Sequence, residues 1–282
     1  MTQLLDPPPY ESQISIATDG ATGLVEASPV DEGRIEFEDE NRIDLEIVIP
    51  TYNENQRISS TLFALSDCLS QSEINARICV IDNGSTDGTA DTVDAVARAT
   101  EVPVVVQGCS RQGKGAAVAR GMIMSTAKWV GFCDADLATP PDAVHDAIAL
   151  LREGWPIVIG SREAPGAVKV RRQPILREAE GRAFRRIARG IVKAPLDTQC
   201  GFKFFDGEVA RKLFPLLRCA GFAFDVELLA LAQRTGIPVK ELPVMWQHCD
   251  DSTFRPLRDG LTAAGELWRL RGARTAVDRS LQ

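Results

Sequence analysis

The feature that most constrains the fold is a repeated alternation of short apolar runs with longer segments of helical periodicity. Four such strand–helix pairs follow one another between about Leu45 and Arg152, and their apolar runs lack the strict polar alternation of a strand with one solvated face. This pattern predicts an α/β fold in which helices cover both faces of a mainly parallel central sheet. We expect one such domain over residues 44–275.

The predicted elements are short and close together. The expected strands cover 45–49 (halted by Pro50), 77–81, 102–106, 128–133 and 156–159, with helices over 55–70, from about 89, over 113–125 and over 141–152. The second half is less regular, with strands expected over 201–205 and 238–246 and helices over 223–234 and 257–271.

The charge is distributed unevenly along the chain. Residues 1–46 hold twelve acidic and two basic residues, whereas the rest holds 27 acidic and 30 basic residues, so the net charge of −7 misrepresents the main domain. Low hydrophobicity and clustered acids predict a disordered acidic tail over 1–43. Residues 276–282 are interpreted as a C-terminal tail. We expect no nucleic-acid partner for this protein.

Targeting and redox signals favour a cytoplasmic location. No apolar run approaches the ~18 residues of a membrane-spanning helix, and the N-terminus lacks a signal-peptide pattern. The seven cysteines are scattered and form no Cys-x-x-Cys pair, which favours buried reduced thiols over disulfides or zinc ligands.

Polar clusters follow the predicted strands, at the edge where a parallel sheet binds its ligand. Asp134 and Asp136 follow the apolar run that ends at Cys133, and strand alternation would point both carboxylates to one side. Two such carboxylates suit Mg²⁺ or Mn²⁺ bound together with a substrate phosphate. The alternative is a pair of solvated acids at the start of a loop.

Several motifs together resemble a family of enzymes. The chain is similar to family 2 glycosyltransferases of the GT-A fold in three motifs, in this order: Ile47–Glu54, Asp82–Thr89 and Asp134–Asp136. Four further segments resemble the dolichyl-phosphate and polyprenyl-phosphate β-glucosyltransferase branch: Gly113–Gly115, Gly160–Arg162, Asp197–Lys203 and Phe224–Leu229. The resemblance extends from about Leu45 to Arg271.

The resemblance implies an inverting, metal-dependent transfer of a hexose, glucose, from UDP-glucose to a polyprenyl phosphate. The implied donor-binding residues are Pro50, Tyr52, Glu54, Asp82, Asn83, Lys114, Asp134, Ala135 and Asp136. Asp134 and Asp136 would hold Mg²⁺ or Mn²⁺, and Asp136 would also be catalytic. Many relatives have a second aspartate where this chain has Asn83, which weakens the inference to uracil. Local alternatives are helix capping by Asn53 or Glu54 and a flexible helix start at 113–115.

The resemblance also implies an acceptor side, formed by Arg162, Gln199, Lys203 and Glu227. Asp225 is the candidate base or acceptor-orienting carboxylate. A hydroxyl acceptor needs its proton removed, whereas a lipid phosphate does not. Asp225 and Glu227 are two apart on a predicted helix, so they should have different tasks; the alternative is a pair of acids favoured by the helix dipole. His248 is either an additional metal ligand or a histidine without that role.

A basic amphipathic segment covers residues 171–193. It could lie on an anionic membrane as a peripheral contact or face a phosphorylated acceptor; the alternative is a core-facing helix with a solvated basic face.

Three rival functions remain open on the sequence alone. The first keeps the donor chemistry but uses a hydroxyl of a soluble small molecule or nucleoside, with Asp225 as base. The second is a sugar-phosphate nucleotidyltransferase, which the absence of a glycine-rich loop after the first strand disfavours. The third is a non-catalytic sugar-nucleotide binding module, which would not need Asp225 beside the two aspartates.

Overall fold

The computed structural model describes residues 42–170, 188, 190–192, 197–247 and 265–266. Its first half consists of successive strand–helix units. These are β1 (Leu45–Thr51), α1 (Ile58–Ser70), β2 (Ala76–Asp82), α2 (Thr89–Ala97), β3 (Val104–Gly108), α3 (Lys114–Met124), β4 (Trp129–Cys133), α4 (Ala143–Arg152) and β5 (Ile157–Ser161).

The second half adds short strands and two helices. They are β6 (Val168–Lys169), β7 (Phe202–Asp206), α5 (Gly207–Leu213), a 3₁₀ turn (Phe214–Leu216), α6 (Phe224–Arg234), β8 (Lys240–Pro243) and β9 (Met245–Trp246). Most of the final predicted helix, most of the acidic tail and residues 276–282 lie outside the described residues; the two described residues of that helix, 265–266, are helical.

Seven strands form the central sheet in the order β3-β2-β1-β4-β7-β5-β8. All neighbours pair in parallel except β7, which runs antiparallel between β4 and β5. The predicted α/β class with a mainly parallel sheet is therefore confirmed. A second sheet pairs β6 with β9 in parallel.

Strand β1 shows why the apolar runs lack polar alternation. Leu45, Ile47 and Ile49 belong to a buried cluster that also contains apolar residues of α1, α2 and α4. Val48 points to the opposite face, where a Cβ on Gly121 of α3 would overlap its side chain. Helices thus bury both faces of the sheet, and within the described residues none is long and apolar enough to cross a membrane.

Pro50 does not end β1, contrary to the prediction, because the strand continues to Thr51. Pairing with β4 ends at Val48, whereas pairing with β2 continues to Thr51. A proline is tolerated in a strand where the ladder requires no donor from it.

The antiparallel strand β7 brings a lysine into the middle of the sheet. Its register pairs Lys203 with Phe132 of β4, so both side chains lie on the face that α6 covers. Phe132 packs there against Phe224 of α6, with ring centroids 5.7 Å apart.

Candidate active site

The loops that follow β1 and β2 form one hydrogen-bonded unit. Asn53 accepts from Thr86 N through its Oδ1 at 2.9 Å, and its own backbone N–H donates to Ser85 Oγ at 2.9 Å. Asp87 Oδ1 accepts from Thr89 N at the first residue of α2. Helix α1 begins after Arg57 without a side-chain cap, so the capping role considered for Asn53 or Glu54 is wrong.

Asp82 has an unused acceptor beside these loops. Its Oδ2 accepts from Gly84 N at 3.2 Å and Ser85 N at 3.1 Å. Its Oδ1 is buried and has no hydrogen-bond partner in the described part of the chain. A buried acceptor without a partner is costly, so Asp82 is suited to receive a donor from a ligand. Tyr52 directly follows Thr51, which pairs with Asp82 in the sheet, and 53% of its surface is exposed.

Asn83 is occupied by the protein itself. Its Nδ2 donates to Cys109 O at 3.1 Å and Arg111 O at 2.8 Å, while its Oδ1 accepts from Gly113 N at 2.7 Å. An aspartate could not donate either of the first two bonds. Asn83 therefore orders the loop before α3, and these bonds explain why an asparagine is present at this position.

The two aspartates of the predicted metal site lie in a turn and not on an extended strand, which corrects the alternation argument. Leu137 N donates to Asp134 O at 3.2 Å, and Leu137 has a positive φ of 47°. The two carboxylates are nevertheless close in electrostatic terms. Burial first, and then the charge of Asp134, raises the pKa of Asp136. A Cβ on Gly201 would overlap the Asp134 carboxylate, so any larger residue there would displace that carboxylate.

Glu54 faces this pair. Burial raises the pKa of Glu54, Arg57 counteracts this, and the charges of Asp136 and Asp134 raise it further. Its carboxylate forms an ion pair with Arg57 Nε at 2.8 Å. Glu54 therefore lies within the electrostatic reach of the predicted metal site.

Lys114 forms the positive side of the site. Its Nζ lies 2.6 Å from Asp134 Oδ1. Burial lowers the pKa of Lys114, but the charges of Asp134 and Asp225 outweigh it and raise the pKa. The flanking glycines serve packing: a Cβ on Gly113 or Gly115 would meet backbone atoms of residues 219–221. This close contact brings the start of α3 next to the start of α6.

Asp225 and Lys203 form a buried ion pair beneath the site. Lys203 is fully buried, and its Nζ donates to Asp225 Oδ1 at 2.6 Å, Cys200 O at 2.6 Å and Thr198 O at 3.2 Å. All three donors of the ammonium group are thus used. Burial raises the pKa of Asp225 despite the opposing charges of Lys203 and Lys114.

Glu227 performs a different task from Asp225, as their spacing on the helix predicted. Its carboxylate accepts from the backbone N–H groups of Arg218 at 3.0 Å and Cys219 at 2.8 Å. Glu227 therefore holds the loop that packs against Gly113 and Gly115.

Arg162 forms a bidentate pair with Asp197, which was not among the predicted site residues. Arg162 Nε and Nη2 donate to the two carboxylate oxygens at 2.6 and 2.7 Å, and the guanidinium lies 5.5 Å from the ring centroid of Trp246. Burial alone would raise the pKa of Asp197, but the hydrogen bonds and charge of Arg162 lower it to about 2. Gln199 is half-buried in the turn that follows, where its backbone N–H donates to Asp197 Oδ1.

His248 and residues 171–187, 189 and 193 lie outside the described residues. The six described cysteines are free, and five of them are buried. Burial raises the pKa of Cys200, which lies between Gln199 and Gly201, to about 11, so it is not a thiolate at neutral pH.

The donor set fits a hard divalent cation. Among the described residues, no group of three or more His, Cys, Asp or Glu side chains could hold a metal by itself. Mg²⁺, however, commonly binds through one or two carboxylates and completes its shell with water and substrate phosphates. Asp134 and Asp136 match that pattern, and Lys114 adds a charge for the phosphates.

Two carboxylates, a lysine and an open acceptor at the carboxyl edge of an α/β sheet are suited to bind a divalent cation together with a phosphorylated ligand. The sequence matches the profile described as Glycosyl transferase family 2 over residues 46–214. This chain belongs to glycosyltransferase family 2, and it is a glycosyltransferase.

Curated relatives cover most of the chain. It is 33% identical over 253 residues to the dolichyl-phosphate β-glucosyltransferase of Dictyostelium discoideum, covering 83% of this chain and 76% of that protein. It is 30% identical over 288 residues to the enzyme of the same name from Saccharomyces cerevisiae, covering 94% and 85%. The human enzyme of that name is 29% identical over 246 residues, covering 80% and 74%.

Solved structures share the fold. Glucosyl-3-phosphoglycerate synthase from Mycobacterium tuberculosis, in complex with Mn²⁺, UDP-glucose and phosphoglyceric acid, superposes with a TM-score of 0.61 at 19% identity, covering 83% of this chain and 81% of that one. The same enzyme in complex with Mg²⁺ and UDP superposes with a TM-score of 0.60 at 21% identity, covering 83% and 80%. The GT-A fold predicted from the sequence is thereby confirmed.

Proposed function

We propose that this glycosyltransferase transfers glucose, with inversion, from UDP-glucose to a polyprenyl phosphate, in the presence of Mg²⁺ or Mn²⁺. The observation that carries the proposal is the cluster at the carboxyl edge, where Lys114, Asp134 and Asp136 meet beside Asp225. When bound, the divalent cation would offset the negative charge that develops on the leaving diphosphate.

The proposed donor contacts follow from the exposure and the hydrogen bonding of the residues at this edge of the sheet. The buried Oδ1 of Asp82 is suited to accept a hydrogen bond from the base or ribose, and exposed Tyr52 can stack on the base. Lys114 would move from Asp134 toward the diphosphate. UDP is proposed as the nucleotide because the family resemblance implies it and because the structural neighbour was solved in complex with UDP-glucose. Asn83 does not inform this choice, since its side chain is engaged with the loop before α3.

The acceptor is assigned from its protonation chemistry. A phosphate oxygen attacks the anomeric carbon on the face opposite the diphosphate; the new C–O bond forms as the bond to the diphosphate breaks, and the product is β-linked. The nucleophile is already anionic, so no base is needed. This agrees with the ion pair between Asp225 and Lys203, and with the relatives that are named for dolichyl phosphate.

A second candidate retains the donor but uses a hydroxyl acceptor. The raised pKa of Asp225 favours it, because a carboxylate with a raised pKa is a better base. The solved structural neighbour in complex with phosphoglyceric acid also has a soluble acceptor.

The two acceptors predict different behaviour of Asp225→Asn. With a polyprenyl phosphate as acceptor, the variant should retain measurable transfer. The activity of the wild type should then show no fall at low pH that is caused by protonation of Asp225. With a hydroxyl acceptor, transfer should be lost while donor binding survives, and wild-type activity should fall as the pH drops through the raised pKa of Asp225. Loss of transfer to the lipid phosphate with donor binding intact would show that Asp225 is required even with an acceptor that needs no base, and would contradict the role given to Asp225 in the first candidate.

Donor identity is tested by thermal shift of the full chain with Mn²⁺ and either UDP or GDP, because a ligand stabilises the state that it binds. UDP should raise the melting temperature more than GDP. A larger shift with GDP would overturn the donor assignment.

A further inference from the structure

Helix α1 has a threonine on its buried face. The buried residues of this helix recur at helical spacing and are Ile58, Thr61, Leu62, Leu65, Ser66, Cys68 and Leu69. Thr61 is only 3% exposed, although valine has almost the same shape and no polar group to satisfy. A buried hydroxyl is costly unless it has a hydrogen-bond partner, so the partner of Thr61 indicates its role.

The partner of the Thr61 hydroxyl lies between the two aspartates of the predicted metal site. Thr61 Oγ1 donates to Ala135 O at 2.5 Å. The alternative acceptor is Arg57 O, one turn earlier in the same helix, at 3.2 Å, and a threonine in a helix often bonds to that carbonyl. Here Thr61 N already donates to Arg57 O at 3.1 Å, and the single hydroxyl proton goes to the nearer acceptor.

Both ends of the turn that carries the aspartates are fixed by other segments. Asp134 N donates to Gly201 O, just before β7, at 3.0 Å, and Gln247 N, just after β9, donates to Ala138 O at 2.8 Å. The Thr61 bond holds the middle of the same turn from a third element, α1. Helix α1 therefore belongs to the frame of the site, although it contributes none of the predicted site residues.

The middle of this turn needs support because it combines an unfavourable backbone with like charges. Leu137 has a positive φ of 47°, which is uncommon for a bulky side chain. The carboxylates of Asp134 and Asp136 repel each other until a cation binds. A planar peptide joins Ala135 to Asp136, so a fixed Ala135 carbonyl also fixes the plane in which the Cα of Asp136 lies.

We propose that Thr61 is a positioning residue for the metal-binding aspartates. Its hydroxyl holds the Ala135 carbonyl, so that the two carboxylates keep the spacing and direction that a divalent cation requires. The proposal rests on the metal site of the proposed function. Replacing a group that hydrogen-bonds around metal ligands typically changes metal affinity or activity by about 10–100-fold. We expect Thr61 to act on cation affinity, because its buried hydroxyl contacts the backbone between the two carboxylates.

The test compares three substitutions in the full chain. Thr61→Val keeps the shape of the side chain and removes the donor, whereas Thr61→Ser keeps the donor and removes a methyl group. The matched control is Ser66→Ala on the same helix. Ser66 is 2% exposed, and its hydroxyl accepts from Val102 N at 3.2 Å, in the loop that enters β3 at the amino edge of the sheet.

Thermal melting identifies any variant that fails to fold. Thr61→Val and Ser66→Ala should both melt at a lower temperature than the wild type, because each loses a buried hydrogen bond. If Thr61→Val does not fold, Thr61→Ala takes its place, because it removes the same donor without placing a methyl group against the carbonyl.

Binding is measured by electron paramagnetic resonance of free Mn²⁺ at a saturating concentration of UDP. Thr61→Val should bind Mn²⁺ about tenfold more weakly than the wild type, and Thr61→Ser nearly as tightly as the wild type. Ser66→Ala should bind Mn²⁺ like the wild type despite its lower melting temperature. A folded Thr61→Val that binds Mn²⁺ like the wild type overturns the proposal, as does an equal loss of affinity in Thr61→Ser or Ser66→Ala.

Transfer kinetics separate positioning from a general loss of structure. Thr61→Val should need about tenfold more Mn²⁺ for half-maximal transfer, while its rate at saturating Mn²⁺ falls less. A lower saturated rate with an unchanged Mn²⁺ requirement contradicts the proposal. If the wild type binds no Mn²⁺ with UDP and transfers without a divalent cation, the metal assignment fails and the role of Thr61 with it. If the wild type binds Mn²⁺ and Thr61→Val binds it equally well, the metal assignment stands and only the role of Thr61 is wrong.

Discussion

Two lysine–aspartate pairs have the same 2.6 Å separation and opposite surroundings. Lys203 and Asp225 have side chains that are 0% and 6% exposed, and the lysine has two further carbonyl partners. Lys114 and Asp134 are 19% and 33% exposed. The first pair is fixed by burial, whereas ligands can reach the second.

The difference shows how one charged site can contain a pair that stays fixed and a pair whose partners can be replaced by ligands. A buried pair cannot lose one partner without leaving a charge in an apolar surrounding. A partly exposed pair is weak because water can replace either partner. We infer that Lys203–Asp225 positions the acceptor side and that Lys114–Asp134 opens when donor and cation bind.

The largest expected effect is on the buried pair. Lys203→Met should lower the free energy of unfolding by about 3–5 kcal/mol, because it leaves the Asp225 carboxylate buried and unpaired. The measurement is urea unfolding followed by circular dichroism.

Lys169→Met is the matched control, because it removes a lysine from an exposed pair with Glu163 at 2.7 Å. It should cost less than about 1 kcal/mol. If Lys203→Met were no more costly than Lys169→Met, the buried pair would not be the fixed element that we infer.

The next largest effect is expected on catalysis, from a substitution beside the partly exposed Lys114–Asp134 pair. Asp136→Asn should reduce transfer by about a hundredfold or more, because one of two carboxylates for the cation is lost. Its stability should be retained or increased, because burial and Asp134 already disfavour the charged form of Asp136. Steady-state kinetics and thermal melting measure the two quantities. Asp91→Asn on α2 is the control, and undiminished metal-dependent transfer by Asp136→Asn would exclude the metal assignment.

A third, intermediate effect concerns the other buried pair. The pKa of Asp197 falls from its ordinary 3.8 to about 2, so its stabilising contribution is fully present above pH 3.8 and is lost as the pH falls through about 2. That difference corresponds to about 2 kcal/mol. Asp197→Asn should therefore be destabilised by about that amount at neutral pH and by less near pH 2. Unfolding curves at both pH values check this, and a loss that does not depend on pH would contradict it.

The smallest effect is on cation binding without nucleotide. Lys114 competes with a cation for Asp134, so Lys114→Met should bind Mn²⁺ several-fold more tightly, by about 1 kcal/mol. Electron paramagnetic resonance of free Mn²⁺ gives the affinity, with Lys128→Met, near the amino end of β4, as control. Weaker binding by Lys114→Met would show that the lysine helps the cation and does not compete with it.

Much of the first half of the fold was predictable because each element there follows from local periodicity. The strands β1 to β5 and their helices match the predicted segments within a few residues. The polar residues at the strand ends could be placed together because parallel strands share their carboxyl edge.

The rest depends on contacts that local pattern does not encode. The antiparallel insertion of β7 is a long-range choice, and it alone explains why Lys203 is buried beside Phe132 and not exposed to an acceptor. Residues 134–137 form a turn, so strand alternation does not determine where the two carboxylates point. The glycines at 113 and 115 looked like a phosphate-binding start of a helix, whereas their packing against residues 219–221 appears only in the folded chain.

The most direct test of the central claim is transfer from UDP-glucose carrying a radioactive label in the glucose, with Mn²⁺ and either a polyprenyl phosphate or a panel of soluble hydroxyl acceptors. The account predicts that label enters the organic phase only with the polyprenyl phosphate, as a β-linked glucosyl phosphate, and that Asp136→Asn prevents it. Label appearing only in a water-soluble product of a hydroxyl acceptor would contradict the account.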